Sequence, residues 1–306
     1  MWQGLSEFLL SAISGRSRSP SAQHLRELVL LYKHASAERL DYLETGLIRF
    51  TQPHEFNDPF ELKPAISSIM TFEYVAKKLR DSIPQILDMY LGLPESTRNT
   101  VTLEDFAAQF ADGIYMGTIE TNLSTAEARE TIYKAFEDQV GILSLTEIYV
   151  SLLMWAHYSD SHRGLVFGFD ESHCFFCQRR SEIDQLRYLR KVDYSDLRPQ
   201  ISNFDTQLAD LNHFFVKSRE WEYEREWRMV MQLNDADEKI QDGSRRIYLY
   251  SIPFEALRSV YLGCRATSET KSRAIALLSS SRFSHVRLYH GAICKDQFNL
   301  NFKALN

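Results

Sequence analysis

The 306 residues contain only 4 cysteines, 8 prolines and 12 glycines. So few cysteines at this length cannot staple a disulfide scaffold, and a reducing, cytoplasmic compartment is expected. The scarcity of proline and glycine, beside 12% aromatic residues, excludes a collagenous, linker-like or largely disordered chain. Long apolar runs are also missing: none approaches the ~20 residues that span a bilayer. The best N-terminal candidate, Leu5 to Ile13, contains Glu7 and lacks a basic start, so no membrane partner is expected. The sequence has no G-x-S-x-G, phosphate loop, H-E-x-x-H or dinucleotide G-x-G-x-x-G, which removes the main support for hydrolase, P-loop, zincin and Rossmann readings. Cys174 and Cys177 have the spacing of half a zinc site, but Cys264 and Cys294 form no second close pair, so no metal site is expected. A net charge of −6 argues against a surface that grips nucleic acid. From Arg245 onward ten Lys or Arg face only Glu255, Glu269 and Asp296, but they are scattered and read as a solvated face.

What the chain does have is an ordinary globular balance, 44% hydrophobic and 25% charged. Residues 1–23 end in Ser, Arg and Pro and read as a flexible lead-in; residues 24–306 read as a single α+β domain with a helical insertion at about 65–140. Strands are expected at Leu28 to Tyr32, Leu47 to Thr51, Gly141 to Thr146, Gly164 to Phe169 and Arg246 to Tyr250, with a closing strand at His285 to Tyr289. Helices are expected at Ala37 to Gly46, Glu147 to Tyr158, Phe204 to Ser218 and Ser268 to Ser280, and Ser124 with Glu127 forms a capping box inside the insertion. Glu226 to Leu233 alternates most clearly, with Trp227, Met229, Met231 and Leu233 on one side and Glu226, Arg228, Val230 and Gln232 on the other.

Three windows concentrate aromatic and polar residues. The first joins Leu31-Tyr32-Lys33-His34 to Glu55-Phe56-Asn57-Asp58-Pro59-Phe60. The second runs from Leu153 to Gly164 and holds Trp155, His157, Tyr158, His162 and Arg163. The third runs from Lys217 to Arg228. Sites combine aromatic walls with a few polar groups, so the windows are expected to converge on one cleft. Each also has a plain structural reading: Asn57-Asp58-Pro59 is a natural turn, His157 and Tyr158 fit a packed helix, and Glu226 with Arg228 fits an exposed ion pair worth roughly 0–1 kcal/mol.

The phrases E-F-N-D-P-F, M-W-A-H-Y-S-D-S-H-R-G-L and W-E-Y-E-R-E-W-R-M-V together resemble the bacterial family catalogued as domain of unknown function 2971, from about Leu31 to about Phe302. The order of elements is in turn similar to that of ADP-ribosyltransferase-like folds: an early strand with a basic or histidine residue beside Tyr, a middle strand, and a late strand opening with Glu. This likeness implies a mixed β-sheet core and NAD as the substrate cofactor, with Glu226 as catalytic carboxylate and Glu224 as its partner on the same strand face. It further implies ribose or nicotinamide contacts from Tyr32 and His34 and ring stacking by Trp155 or Tyr158. Asn57, Asp58 and His157 would line the ligand, and Lys217 or Arg228 would meet phosphates. The first strand offers Tyr-Lys-His instead of a single His or Arg, and no Ser-Thr-Ser phrase follows. The function implied is an NAD-dependent ADP-ribosyltransferase-like enzyme of the bacterial defence or toxin-effector type, with a nucleotide ligand and an unidentified macromolecular acceptor. The alternative is a non-catalytic nucleotide- or peptide-binding module.

Overall fold

The computed structural model describes residues 29–66, 72–109, 130, 133–134, 137–201, 211–243 and 245–305. The expected lead-in at 1–23 and the capping box at Ser124 lie outside them. The described residues form a mixed α+β architecture around a large sheet. The first half of the chain gives β1 (Leu30–Ala35), β2 (Leu47–Phe50), β3 (Ala65–Ile66), β4 (Val140–Thr146) and β5 (Leu165–Asp170). The second half gives β6 (Leu189–Lys191), β7 (Asp193–Ser195), β8 (Gln200–Ile201), β9 (Val216–Ser218) and β10 (Glu226–Gln232). The remainder are β11 (Glu238–Asp242), β12 (Arg245–Ser251), β13 (Leu257–Leu262), β14 (Arg287–Ile293) and β15 (Leu300–Ala304).

Eight of these strands form the main sheet in the order β15-β14-β13-β5-β1-β4-β10-β6. All its pairings are antiparallel except β13 with β14. A parallel pair needs a crossover, supplied here by the helix Ser268–Leu278, which starts at a Thr267 cap and buries Ala274 and Leu278. The smaller sheet β11-β12-β2 contributes Ile48, Phe50, Tyr248 and Tyr250 to the core that also holds Leu31, Leu143, Phe167 and Met229. β5 lies between β13 and β1 and every one of its residues is buried, as its run of apolar side chains requires of a central strand.

The sheet is not evenly knit. β1 registers with β5 from Leu30↔Asp170 to Ala35↔Leu165, and β10 with β4 from Glu226↔Thr146 to Gln232↔Val140. Between β1 and β4 the described register is the single pair Tyr32↔Thr146. The two halves of the sheet therefore part on either side of that pair. Side chains take over the carbonyls left unpaired: Lys33 Nζ donates to Ser144 O (3.4 Å) and His34 Nε2 reaches Ile148 O (3.4 Å).

Several expected elements change in detail. Ala37 to Gly46 is a 3₁₀ turn, Ala37–Asp41, followed by one helical turn, Tyr42–Thr45, which stops at Gly46 with φ 74°. The helix predicted from Glu147 begins only at Leu152, where Ser151 Oγ accepts from Met154 N, and it ends at Tyr158. Of the predicted Phe204 to Ser218 helix, residues 202–210 lie outside the described set, Leu211–Phe215 is a 3₁₀ turn, and Val216–Ser218 is a strand paired in parallel with β7. The strand expected to close the chain is followed by β15. Within the expected insertion the described residues include helices at Phe72–Leu91 and Glu95–Arg98.

Candidate functional site

Tyr32, Thr146 and Glu226 form one row across β1, β4 and β10, because Thr146 registers with both of the others. Alternation places His34, Ser144 and Arg228 on the same face. At this row, where the sheet parts, lies a recess of about 110 Å³. Its walls come from Tyr32, Lys33 and His34 on β1, Ser144 to Thr146 on β4, and Met154 and Tyr158 one turn apart on the short helix; Phe56, Asn57, Lys217, Glu224 and Glu226 complete it. Parts of all three windows thus meet there. The volume suits one small ring, so a larger ligand would extend outward from it.

The floor is a buried charge network. Arg228, with no exposed surface, donates from Nε and Nη2 to both oxygens of Glu226 (2.8 and 2.9 Å), from Nη1 to Phe214 O (2.6 Å), and to Glu61. Lys217 Nζ lies 2.6 Å from Glu224, 3.3 Å from Glu226 and 3.5 Å from Glu61. Glu224 receives a second hydrogen bond, 2.6 Å, from the Tyr158 hydroxyl, which in turn accepts from Asn57 Nδ2 (3.3 Å). Three carboxylates against two cations leave the network one negative charge when all are ionised. Isolated buried charges are costly, and here every one has partners.

Burial and neighbours displace the titrations in ways the network explains. Burial would raise the Glu226 carboxyl, but Arg228 and Lys217 outweigh it and hold it at about 2. Burial raises Glu61 against the pull of Arg228 and Lys217. For Lys217 and Arg228 burial works downward and the carboxylates prevail, so both are raised. On the opposite wall burial dominates. It brings Lys33 down to about 8, with Glu226 opposing, and His34 down to about 4. The neutral His34 ring sits between Ile148 O, 3.4 Å from Nε2, and the Ser159 hydroxyl, 3.0 Å from Nδ1, whose own proton goes to Leu165 O (3.2 Å). Burial and then Glu224 raise Tyr158, so its phenol stays a donor.

The expected residues divide clearly. Tyr32, His34, Asn57, Tyr158, Lys217, Glu224 and Glu226 line the recess. Trp155 does not: it is fully buried behind the recess wall, its ring edge-on to that of His34 (centroids 5.3 Å), donates to Tyr149 O (2.6 Å) and stacks on Phe302, so it cannot stack on a ligand. His157 is exposed and off the recess. Asp58 performs the turn role, accepting from Phe60 N at 2.9 Å, and faces a neighbouring recess. Arg228 supports Glu226 from beneath. Glu224 reaches the site although its strand does not extend back: it ends the 3₁₀ turn Arg219–Glu224, and Arg225 at φ 44° reverses the chain before β10. The pair Glu226 and Arg228 is buried instead of exposed, while Trp227, on the other face, is half-buried, packs against the core and donates to Glu147 (3.0 Å).

Sequence reasoning missed Glu61 and Thr146, and gave Lys33, although inside the first window, no role. Glu61 follows the E-F-N-D-P-F phrase directly, so proximity to that window was the available signal, but its partner Arg228 lies 167 residues away. Among the described residues no group of three or more His, Cys, Asp or Glu is arranged to hold a metal ion. No helix among them is long and apolar enough to cross a membrane.

Residues 154–229 match the model of a family described as a protein of unknown function, DUF2971. The resemblance read from the second and third phrases therefore holds over a span that contains the second and all but Val230 of the third. No curated protein and no solved structure matches the chain.

Proposed function

We propose that this chain, with its DUF2971 segment at residues 154–229, is an NAD-consuming enzyme of the ADP-ribosyltransferase-like type, working at the part in the sheet. The observation that carries the reading is the placement of Glu224 and Glu226 across a single recess from Tyr32 and His34, at the one registered pair of β1 and β4. The nicotinamide end of the substrate occupies the recess and the adenylate end lies outside, as a volume of about 110 Å³ demands. In the reaction the C1′–N bond breaks with its electron pair leaving on neutral nicotinamide. A C1′–O bond forms to water or to an acceptor hydroxyl, whose proton is released. The carboxylates stabilise the positive charge that develops on the ribose. Enzymes of this chemistry serve bacterial defence and toxin systems, the biological setting we propose with it.

A second reading is favoured by one observation: both oxygens of Glu226 are bonded by Arg228, which leaves little charge to offer a ligand. It is the non-catalytic nucleotide-binding module. Incubating the protein with NAD while measuring nicotinamide release and binding heat separates the two. The enzyme releases nicotinamide, and Glu224→Gln and Glu226→Gln each lower that rate about 10²–10³-fold per unit of folded protein. Binding without release selects the module; neither binding nor release rejects both. Folded fraction must be measured alongside, because Glu226→Gln removes one partner of a buried ion pair and is expected to cost roughly 3–5 kcal/mol.

A further inference from the structure

A second pocket lies at the ends of the adjacent parallel strands β13 and β14. Its volume is about 330 Å³, and its walls include Cys264, just past β13, and Cys294, just past β14, with Arg265, Lys295 and His162. Cys294 opens the turn to β15, closed by its own N–H on Asn299 O (3.2 Å). The backbone N–H groups of Asp296 and Gln297, with smaller help from Asn301 and Lys295, hold its thiol below the ordinary range. His162, half-buried, lies parallel to the Trp155 ring behind this wall, and its Nδ1 has no hydrogen-bond partner among the described residues. Two cations face one carboxylate, Asp296, around the opening.

We infer that this pocket is a modification site in which Cys294 reacts with small anionic disulfides. In the step, the Cys294 thiolate attacks one sulfur of the disulfide. A new S–S bond forms to the protein as the old one breaks, and the departing thiolate takes up the proton that Cys294 gave. The disulfide is the oxidant. Arg265 and Lys295 attract its carboxylates.

Exposure alone makes the opposite prediction, since Cys174 and Cys177 are exposed whereas Cys264 and Cys294 are partly covered. The whole purified protein is treated at pH 7 with oxidised glutathione, and each adduct is mapped by peptide mass spectrometry. Cys294 is expected to react first. Each unit of lowered pKa raises the thiolate fraction about tenfold and lowers its nucleophilicity about threefold, for a net gain of about threefold before attraction by the cations. Replacing Arg265 and Lys295 together by Ala lowers the Cys294 rate with oxidised glutathione at least ~3-fold and leaves the rate with neutral hydroxyethyl disulfide unchanged. Faster labelling of Cys174 or Cys177, or an equal loss of rate with both disulfides, overturns the proposal.

Discussion

Lys217 and Arg228 show how little a side chain's type fixes its role. One or the other was expected to meet phosphates; both pair with Glu61 and Glu226, Lys217 with Glu224 as well, and of the two only Lys217 lines the recess. On the facing wall, His34 sets a pH dependence whose sign follows from its environment. Its folded-state value of about 4 lies below the usual 6.5, so between those values the unfolded chain takes up a proton that the folded chain refuses. The contribution is complete above about 6.5 and falls as pH drops toward 4, by at most ~3 kcal/mol at about 1.4 kcal/mol per unit. Glu226, held near 2, adds its own loss only below about 4.5. Chemical denaturation between pH 7 and 5 should therefore show a slope that His34→Gln flattens. Equal slopes in the two proteins would show that the ring is protonated in the fold.

At the level of elements, the connection from the short helix to β5 links both pockets: Ser159 bonds His34 at the recess and His162 lines the cysteine pocket. Asp160, Ser161 and His162 take φ values of 45°, 50° and 69°, a left-handed path that costs roughly 1–2 kcal/mol per residue. It is held by His162 N on Trp155 O, Gly164 N on Ser159 O and Arg265 N on His162 O. Gly164 then enters β5 where an added Cβ would stand 2.1 Å from Ala35 O, a backbone atom that cannot step aside. Gly164→Ala is expected to destabilise by ~3 kcal/mol or more. Gly243→Ala, with φ 60° and open space around it, should lose about 1 kcal/mol from its backbone alone, and thermal melts of the two variants test the contrast.

The legibility of elements followed their surroundings. β10 was visible because its residues alternate, yet that its polar face is buried as well as its apolar one was not, since Glu226 and Arg228 are covered by partners from Glu61 and Phe214 far along the chain. β13, Leu-Arg-Ser-Val-Tyr-Leu, escaped notice because it is buried on both sides and so shows no alternation. β7 and β9 were hidden because three residues carry no period and their parallel pairing is wholly tertiary. The windows were readable from composition; that Trp155 turns away while Met154 and Tyr158 face the recess depends on where the helix begins, a boundary that Ser151 sets.

For the whole molecule, the sheet consists of two halves, β15 to β1 and β4 to β6, that share the register pair Tyr32↔Thr146. The recess lies on that join, with walls from both halves, so a ligand filling it binds the halves to each other as well as to itself. Stabilisation by mass action would reach about 2.7 kcal/mol at 100 times the dissociation constant. Its distribution distinguishes this site from others. Hydrogen exchange with saturating NAD should slow in Tyr32–Ala35 and in Ser144–Thr146 together, because opening either strand then requires release of the same ligand. The β11 strand, exposed along its whole length, should be unaffected. A ligand held on only one half would protect one strand and leave the other unchanged, and that pattern would move the binding site away from the join.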